Sequence, residues 1–122
     1  MKQAIVLFAH GSRDAAWARP FEALQALVAD SLPDHQVRLA YLEHMKPSLG
    51  AALDELAAAG VSSARVVPLF FGLGGHLRQD LPRLVAEAGG TIEVIIDAPI
   101  GEQASVIRAI AAAIASGEDS AP

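Results

Sequence analysis

Ile5-Val6-Leu7-Phe8-Ala9-His10-Gly11-Ser12-Arg13 is a near-continuous apolar run that ends on a histidine, a glycine and a polar turn. A run this short and this uniformly apolar predicts a strand covered on both faces, over residues 3 to 9. A second run, Val66-Val67-Pro68-Leu69-Phe70-Phe71, leads through Gly72-Leu73-Gly74-Gly75 to His76 in the same manner. If the two runs are neighbouring parallel strands, both imidazoles meet at one pocket.

Outward from these runs, short strand-like and longer helical spacings alternate four times, which argues for a parallel sheet with crossover helices. Phe21, Leu24, Leu27, Val28 and Leu32 mark one face of a first helix, and residues 36 to 42 alternate as a half-covered edge strand does. Pro47 is expected in the first turn of the next helix, whose buried stripe is Leu49, Ala52, Leu53 and Leu56 and whose stop is Gly60. The third strand is expected over 64 to 71, with Pro68 near its end or at a bulge. Leu81, Leu84, Val85 and Ala88 define a third helix, capped by Asp80 ahead of Leu81-Pro82 and stopped by Gly89-Gly90. Thr91 to Ile96 is the fourth strand, and Val106, Ile107, Ile110 and Ile114 line the last helix.

The expected fold is α/β: a doubly wound, four-stranded parallel sheet of order 2-1-3-4 with helices on both faces. One domain spans residues 1–116, and 117–122 form a frayed tail. In that order the helices after strands one and three lie on opposite faces, so their loops part into a ligand crevice. His10 and His76 occupy those two loops.

At 122 residues the chain suits a single core that buries about two-thirds of its unfolded surface. Apolar residues make up 52% and the mean hydropathy is +0.36, yet no run reaches the ~20 residues of a membrane span. No cleavable leader is visible, so the cytoplasm is the expected compartment. A net charge of −5 without a basic, aromatic-rich face argues against nucleic acid as a partner. The absence of cysteine excludes disulfides and thiolate chemistry, so any metal must be held by nitrogen or oxygen.

His10 could simply end a strand, with Gly11 turning the chain and Ser12 or Asp14 capping the next helix. The sharper reading makes His10 and His76 metal ligands or proton acceptors, since imidazole changes charge near neutrality. Glu43 leaves strand two at the same end of the sheet and could project to the cleft, or could be a solvated loop carboxylate. His44 beside it is a weaker candidate, and His35, in a Pro-Asp-His turn, is expected at the surface. Asp80 could orient His76 from one helical turn away, or act only as the cap. Arg13, Arg19, Arg78 and Arg83 lie near the candidate site, so an acidic small molecule could be attracted there despite the acidic total. The free N–H groups after Gly11-Ser12-Arg13 would also suit a phosphate, but no G-x-G-x-x-G, G-x-x-x-x-G-K-[ST] or G-x-S-x-G pattern is present.

Leu7-Phe8-Ala9-His10-Gly11-Ser12-Arg13, then Tyr41-Leu42-Glu43 with Pro47-Ser48-Leu49, then Val67-Pro68-Leu69-Phe70 with Gly75-His76 and Asp80-Leu81-Pro82, form an ordered set. In that order and spacing the chain resembles the short form of the sirohydrochlorin chelatases, the cobalt-inserting type called CbiX. The resemblance implies ATP-independent insertion of a divalent metal into sirohydrochlorin, a tetrapyrrole rich in carboxylates. The metal is then a substrate, Co²⁺ first with Ni²⁺ or Fe²⁺ as alternatives, and no organic cofactor is called for. The family's two site histidines carry over onto His10 and His76, as metal ligands or acceptors of pyrrole protons. Glu43 could assist proton removal, and Ser12, Arg13, Phe71, Gly74, Gly75 and Arg78 are the candidate substrate contacts. The short form is also expected to pair as a homodimer that rebuilds a full cleft. Two rivals remain at this point: a non-catalytic carrier of metal or tetrapyrrole, and phosphate-ester chemistry at the His-Gly-Ser-Arg turn.

Overall fold

The computed structural model describes residues 2–88 and 92–117. Strand β1 (Lys2–Ala9) is followed by a 3₁₀ turn (Ala15–Ala18), helix α1 (Arg19–Ser31) and strand β2 (His35–Tyr41). Helix α2 (Leu49–Ala58), strand β3 (Val61–Pro68), helix α3 (Gly75–Glu87) and strand β4 (Glu93–Ile96) follow. A second 3₁₀ turn (Ile100–Glu102) leads into helix α4 (Ala104–Ser116). The strands pair in parallel in the order β2-β1-β3-β4, as the alternation of elements predicts.

β1 is central, and its side chains are buried from Ala4 to Ala9. The pleat sends Ala4, Val6 and Phe8 to one face, where they meet Leu49, Ala52, Leu53 and Leu56 of α2 and Leu81 of α3. Ile5 and Leu7 point to the other face, where Val37, Val67 and the α1 residues Leu24 and Val28 cover them. Helices α1 and α3 therefore lie on opposite sides of the sheet, and the loops that precede them diverge.

Several boundaries differ from expectation for identifiable reasons. Pro47 is not in the first turn of α2: Ser48 is the cap, its Oγ accepting from the Ala51 N–H at 3.2 Å, and Pro47 stands before it. β3 begins and ends three residues earlier than expected, closing on Pro68; the Leu69 N–H still reaches the Phe8 carbonyl at 2.8 Å. α3 begins at Gly75, so Asp80 is not its cap and Pro82 lies inside it. The spacing of Leu77, Leu81, Leu84 and Val85, all packed on the core, explains this, because burial of that stripe outweighs the backbone bond lost at the proline.

Leu27, Ile107 and Ile114 are exposed rather than core-facing. His35 starts β2 half-buried, not at the surface, with Nδ1 shut from solvent and without a hydrogen-bond partner. Gly60 does take the left-handed conformation, at φ +87°, that ends α2. Gly89-Gly90 and Thr91 lie outside the described residues, as does the tail beyond Gly117. Among the described residues no helix is long and apolar enough to cross a membrane.

Leu53→Ala is expected to cost about 2–5 kcal/mol in urea unfolding, because that side chain is fully buried. Leu27→Ala should stay within about 0.5 kcal/mol. Gly50→Ala, where an added Cβ meets nothing inside α2, should stabilise by about 0.5–1 kcal/mol.

Candidate active site

The site grows from a continuation of the β1–β2 pairing beyond both strand ends. The Leu42 N–H donates to the Ala9 carbonyl at 2.9 Å, and the Glu43 N–H donates to the His10 carbonyl at 3.0 Å. Gly11 makes this approach possible: its φ is +94°, and a Cβ there would collide with the Glu43 carbonyl. Residue 43 is thereby locked against residue 10, although 33 positions separate them in the chain.

The side chains follow the backbone. His10 Nε2 lies 3.4 Å from Glu43 Oε2, with the two side chains 57% and 44% exposed. His44, the weaker candidate in the sequence, lies on the other side of the same carboxylate, Nε2 to Oε1 at 3.7 Å. A tight turn places it there: the Met45 N–H donates to the Glu43 carbonyl at 2.8 Å across His44, whose φ is +67°. The adjacent Glu43-His44 pair was the visible signal, but nothing in the residue types announces a turn that folds the ring back.

Apolar contacts tie this cluster to the core. The His10 ring meets Phe70 edge-on at 6.2 Å, and Phe70 meets the fully buried Phe8 edge-on at 5.9 Å. Trp17 packs on Phe21 at 4.5 Å and near Tyr41 at 6.5 Å. Burial, and secondarily the Glu22 carboxylate, push the Tyr41 hydroxyl above its ordinary pKa, so it remains a neutral donor.

His76 reaches the same end of the sheet by a different route, as the exposed second residue of α3 rather than part of the glycine loop. Gly74 caps that helix without a side-chain hydrogen bond, leaving the first-turn N–H groups of Gly75 and His76 unclaimed by a cap. Asp80 does not serve His76; its carboxylate takes Arg83 at 3.0 Å. Arg78 lies 3.9 Å from Glu102, both groups exposed.

Ser12 Oγ accepts from the Asp14 N–H at 3.0 Å, and Asp14 in turn accepts from the Ala16 N–H at 3.0 Å, which caps the first 3₁₀ turn. Arg13 is exposed, and Phe71 is 71% exposed on the loop after β3. A cleft of about 400 Å³ opens beside Leu42, Ser48, Asp54 and Leu84, and neither His10 nor His76 lines it. Among the described residues no group of three or more His, Asp or Glu is set to enclose a metal ion. The arrangement leaves these nitrogen and carboxylate groups exposed at the carboxyl end of the sheet.

Comparison with known proteins gives a consistent answer. The CbiX family model matches residues 4–116. The sirohydrochlorin cobaltochelatase of Saccharolobus islandicus is 33% identical over 108 residues, 80% of this chain and 81% of that protein. That of Methanosarcina barkeri is 30% identical over 96 residues, 76% of this chain and 74% of that one. The crystal structure of a CbiX protein from Marinobacter aquaeolei VT8 superimposes with a TM-score of 0.81 at 34% identity, covering 98% of this chain and 99% of that one. The sirohydrochlorin chelatase SirB of Bacillus subtilis subspecies spizizenii, solved in complex with cobalt, gives 0.74 at 26% identity; the match covers 95% of this chain but 51% of SirB. With nearly every described element inside the match, from β1 to α4, this chain belongs to the CbiX family.

Proposed function

We propose that this protein inserts a divalent metal ion, Co²⁺ first and Ni²⁺ or Fe²⁺ as alternatives, into sirohydrochlorin without ATP. The observation that carries this reading is the exposed His10–Glu43 pair at 3.4 Å on the central strand's carboxyl end, in a chain of the CbiX family. Insertion exchanges two pyrrole N–H protons for one M²⁺, so it needs groups that hold the ion while water leaves and groups that take two protons. Imidazole binds such borderline ions firmly enough to select them yet weakly enough to release them. His10 and His76 hold the ion or accept the protons, and Glu43 assists proton removal beside His10.

The remaining assignments concern the macrocycle and its carboxylates. Arg13 and Arg78 pair with substrate carboxylates, and Arg78 exchanges its exposed contact with Glu102 for one. Ser12 donates a hydrogen bond from its hydroxyl, and the N–H groups of Gly75 and His76, unclaimed by a cap, donate to a further carboxylate at the start of α3. Phe71 lies against the ring face. The reaction draws on no organic cofactor, nucleic acid or membrane surface, and we place it in the cytoplasm. The chain pairs as a homodimer, a reading supported by its match to about half of SirB.

The direct test mixes the protein with sirohydrochlorin and Co²⁺ and follows the tetrapyrrole absorbance against the spontaneous rate. Binding without acceleration would turn the enzyme into a carrier. His76→Ala is expected to cost about 100-fold or more in rate with the circular dichroism spectrum unchanged, and unaltered turnover would remove its assigned role. Gly11→Ala should lose both about 1–3 kcal/mol of stability and most of the rate, because it forces Glu43 away from His10. Retention of full rate in that variant would show that the backbone lock is dispensable.

A further inference from the structure

The Glu43 carboxylate is bracketed by two rings, one on each oxygen. Nε2 of His10 stands 3.4 Å from Oε2, and Nε2 of His44 stands 3.7 Å from Oε1. The main chain fixes where residue 43 begins, but an exposed glutamate still has several side-chain torsions to lose before it can work in a defined direction. Contact at one oxygen leaves the carboxylate free to spin about its last bond. Contact at both fixes its plane and decides which oxygen faces His10.

The backbone of His44 points the same way. Among the described residues it is the non-glycine residue with positive φ, at +67°. Glycine takes that conformation freely, whereas a histidine is held there against a steric cost. The loop around it is closed from every side. The Tyr41 N–H donates to the Pro47 carbonyl at 2.9 Å across its base, the Leu42 and Glu43 N–H groups are committed to Ala9 and His10, and the Met45 N–H closes the tip on the Glu43 carbonyl. A loop that had only to turn would do so more easily with glycine at position 44. What histidine adds is a ring that the turn folds back onto Glu43.

From these observations we infer that His44 is a positioning residue for metal insertion: it holds Oε1 of Glu43 and so keeps Oε2 turned toward His10. The inference rests on the metal-insertion reading above and adds to it the residue that orients its carboxylate. Substrate meets Glu43, and His44 acts only through it. A ring that carries its hydrogen on Nε2, neutral or protonated, presents an N–H to Oε1, so the role requires no change of charge. At 3.7 Å the contact is longer than a hydrogen bond, and contacts of this kind shorten when a substrate closes on the site. An oriented carboxylate then reaches the substrate without having to be ordered first.

Two variants of the full chain separate the ring from the turn. His44→Gly relaxes the backbone and removes the ring; His44→Gln restores a side-chain N–H of similar reach while keeping the backbone cost. Three measurements are made on each: the urea midpoint, kcat and KM for sirohydrochlorin with Co²⁺, and the three-bond scalar couplings that report whether the Glu43 χ1 angle holds one rotamer. His44→Gly is expected to unfold at or above the wild-type urea midpoint, because the positive φ is relieved. Its kcat should nevertheless fall about 10-fold with KM within about 2-fold, and its Glu43 couplings should become averaged. His44→Gln should bring kcat back to within about 3-fold of wild type and return the couplings to a single rotamer, although its urea midpoint is no higher than wild type. A merely structural turn residue predicts the opposite order, with glycine the better replacement in rate as well as in stability. Full kcat in His44→Gly, a glutamine variant no faster than the glycine one, or Glu43 couplings that do not change in His44→Gly would each overturn the inference. The couplings need no turnover, so they separate the two readings. A wild-type protein that does not accelerate insertion, with Glu43 ordered only when His44 is present, removes the chelatase assignment and leaves the positioning contact standing. Wild-type turnover with couplings indifferent to His44 does the reverse.

Discussion

The backbone contact between Gly11 and Glu43 is the constraint on which the site depends. Two parallel strands ordinarily part once their ladder ends, and their loops are then free to differ. Here two further hydrogen bonds carry the pairing from Ala9 and His10 to Leu42 and Glu43, and the missing side chain of Gly11 lets the chains stay in contact. The result is an imidazole and a carboxylate at 3.4 Å whose spacing is set by the main chain. Two long exposed side chains meeting by themselves would lose much more freedom in doing so.

The sheet below supplies rigidity to that contact. β1 is buried on both faces, and Phe8, the last residue it contributes to the α2–α3 side, starts a line of rings through Phe70 to His10. The core thus extends to the edge of the functional surface without a break. On the opposite face the cover is uneven, with α1 seated on β1 and β2 while the region toward β4 is left to the exposed Ile95 and an open groove. A single chain of this length builds one well-packed side and one incomplete side.

The strand order and the two-sided helix packing were legible because near-continuous apolar runs and helical stripes have different periods. The α2 stripe of Leu49, Ala52, Leu53 and Leu56 is buried as its spacing predicts. The start of α3 was not legible. Local rules place a boundary at Asp80 and Pro82, while the long-range packing of Leu77 and Leu81 moves it back to Gly75. The sheet order brings Glu43 to the same end as His10 and so allowed it to project toward the cleft, but the position of His44 could not be anticipated. It depends on a three-residue turn with positive φ at a residue that is not glycine. Leu27, Ile107 and Ile114 show the converse limit, since periodicity marks an apolar stripe without saying which molecule covers it.

Pro82 leaves the two imidazoles on backbones that are tethered unequally. Lacking an N–H, it cannot supply the rung that the Arg78 carbonyl would otherwise receive, so the opening turn of α3, which bears His76, is tethered less firmly to the rest of its helix. His10 has no such slack, being clamped by main-chain bonds on one side and aromatic rings on the other. The backbone beneath one ring is thus pinned on both sides, whereas the backbone beneath the other opens a helix with one rung missing.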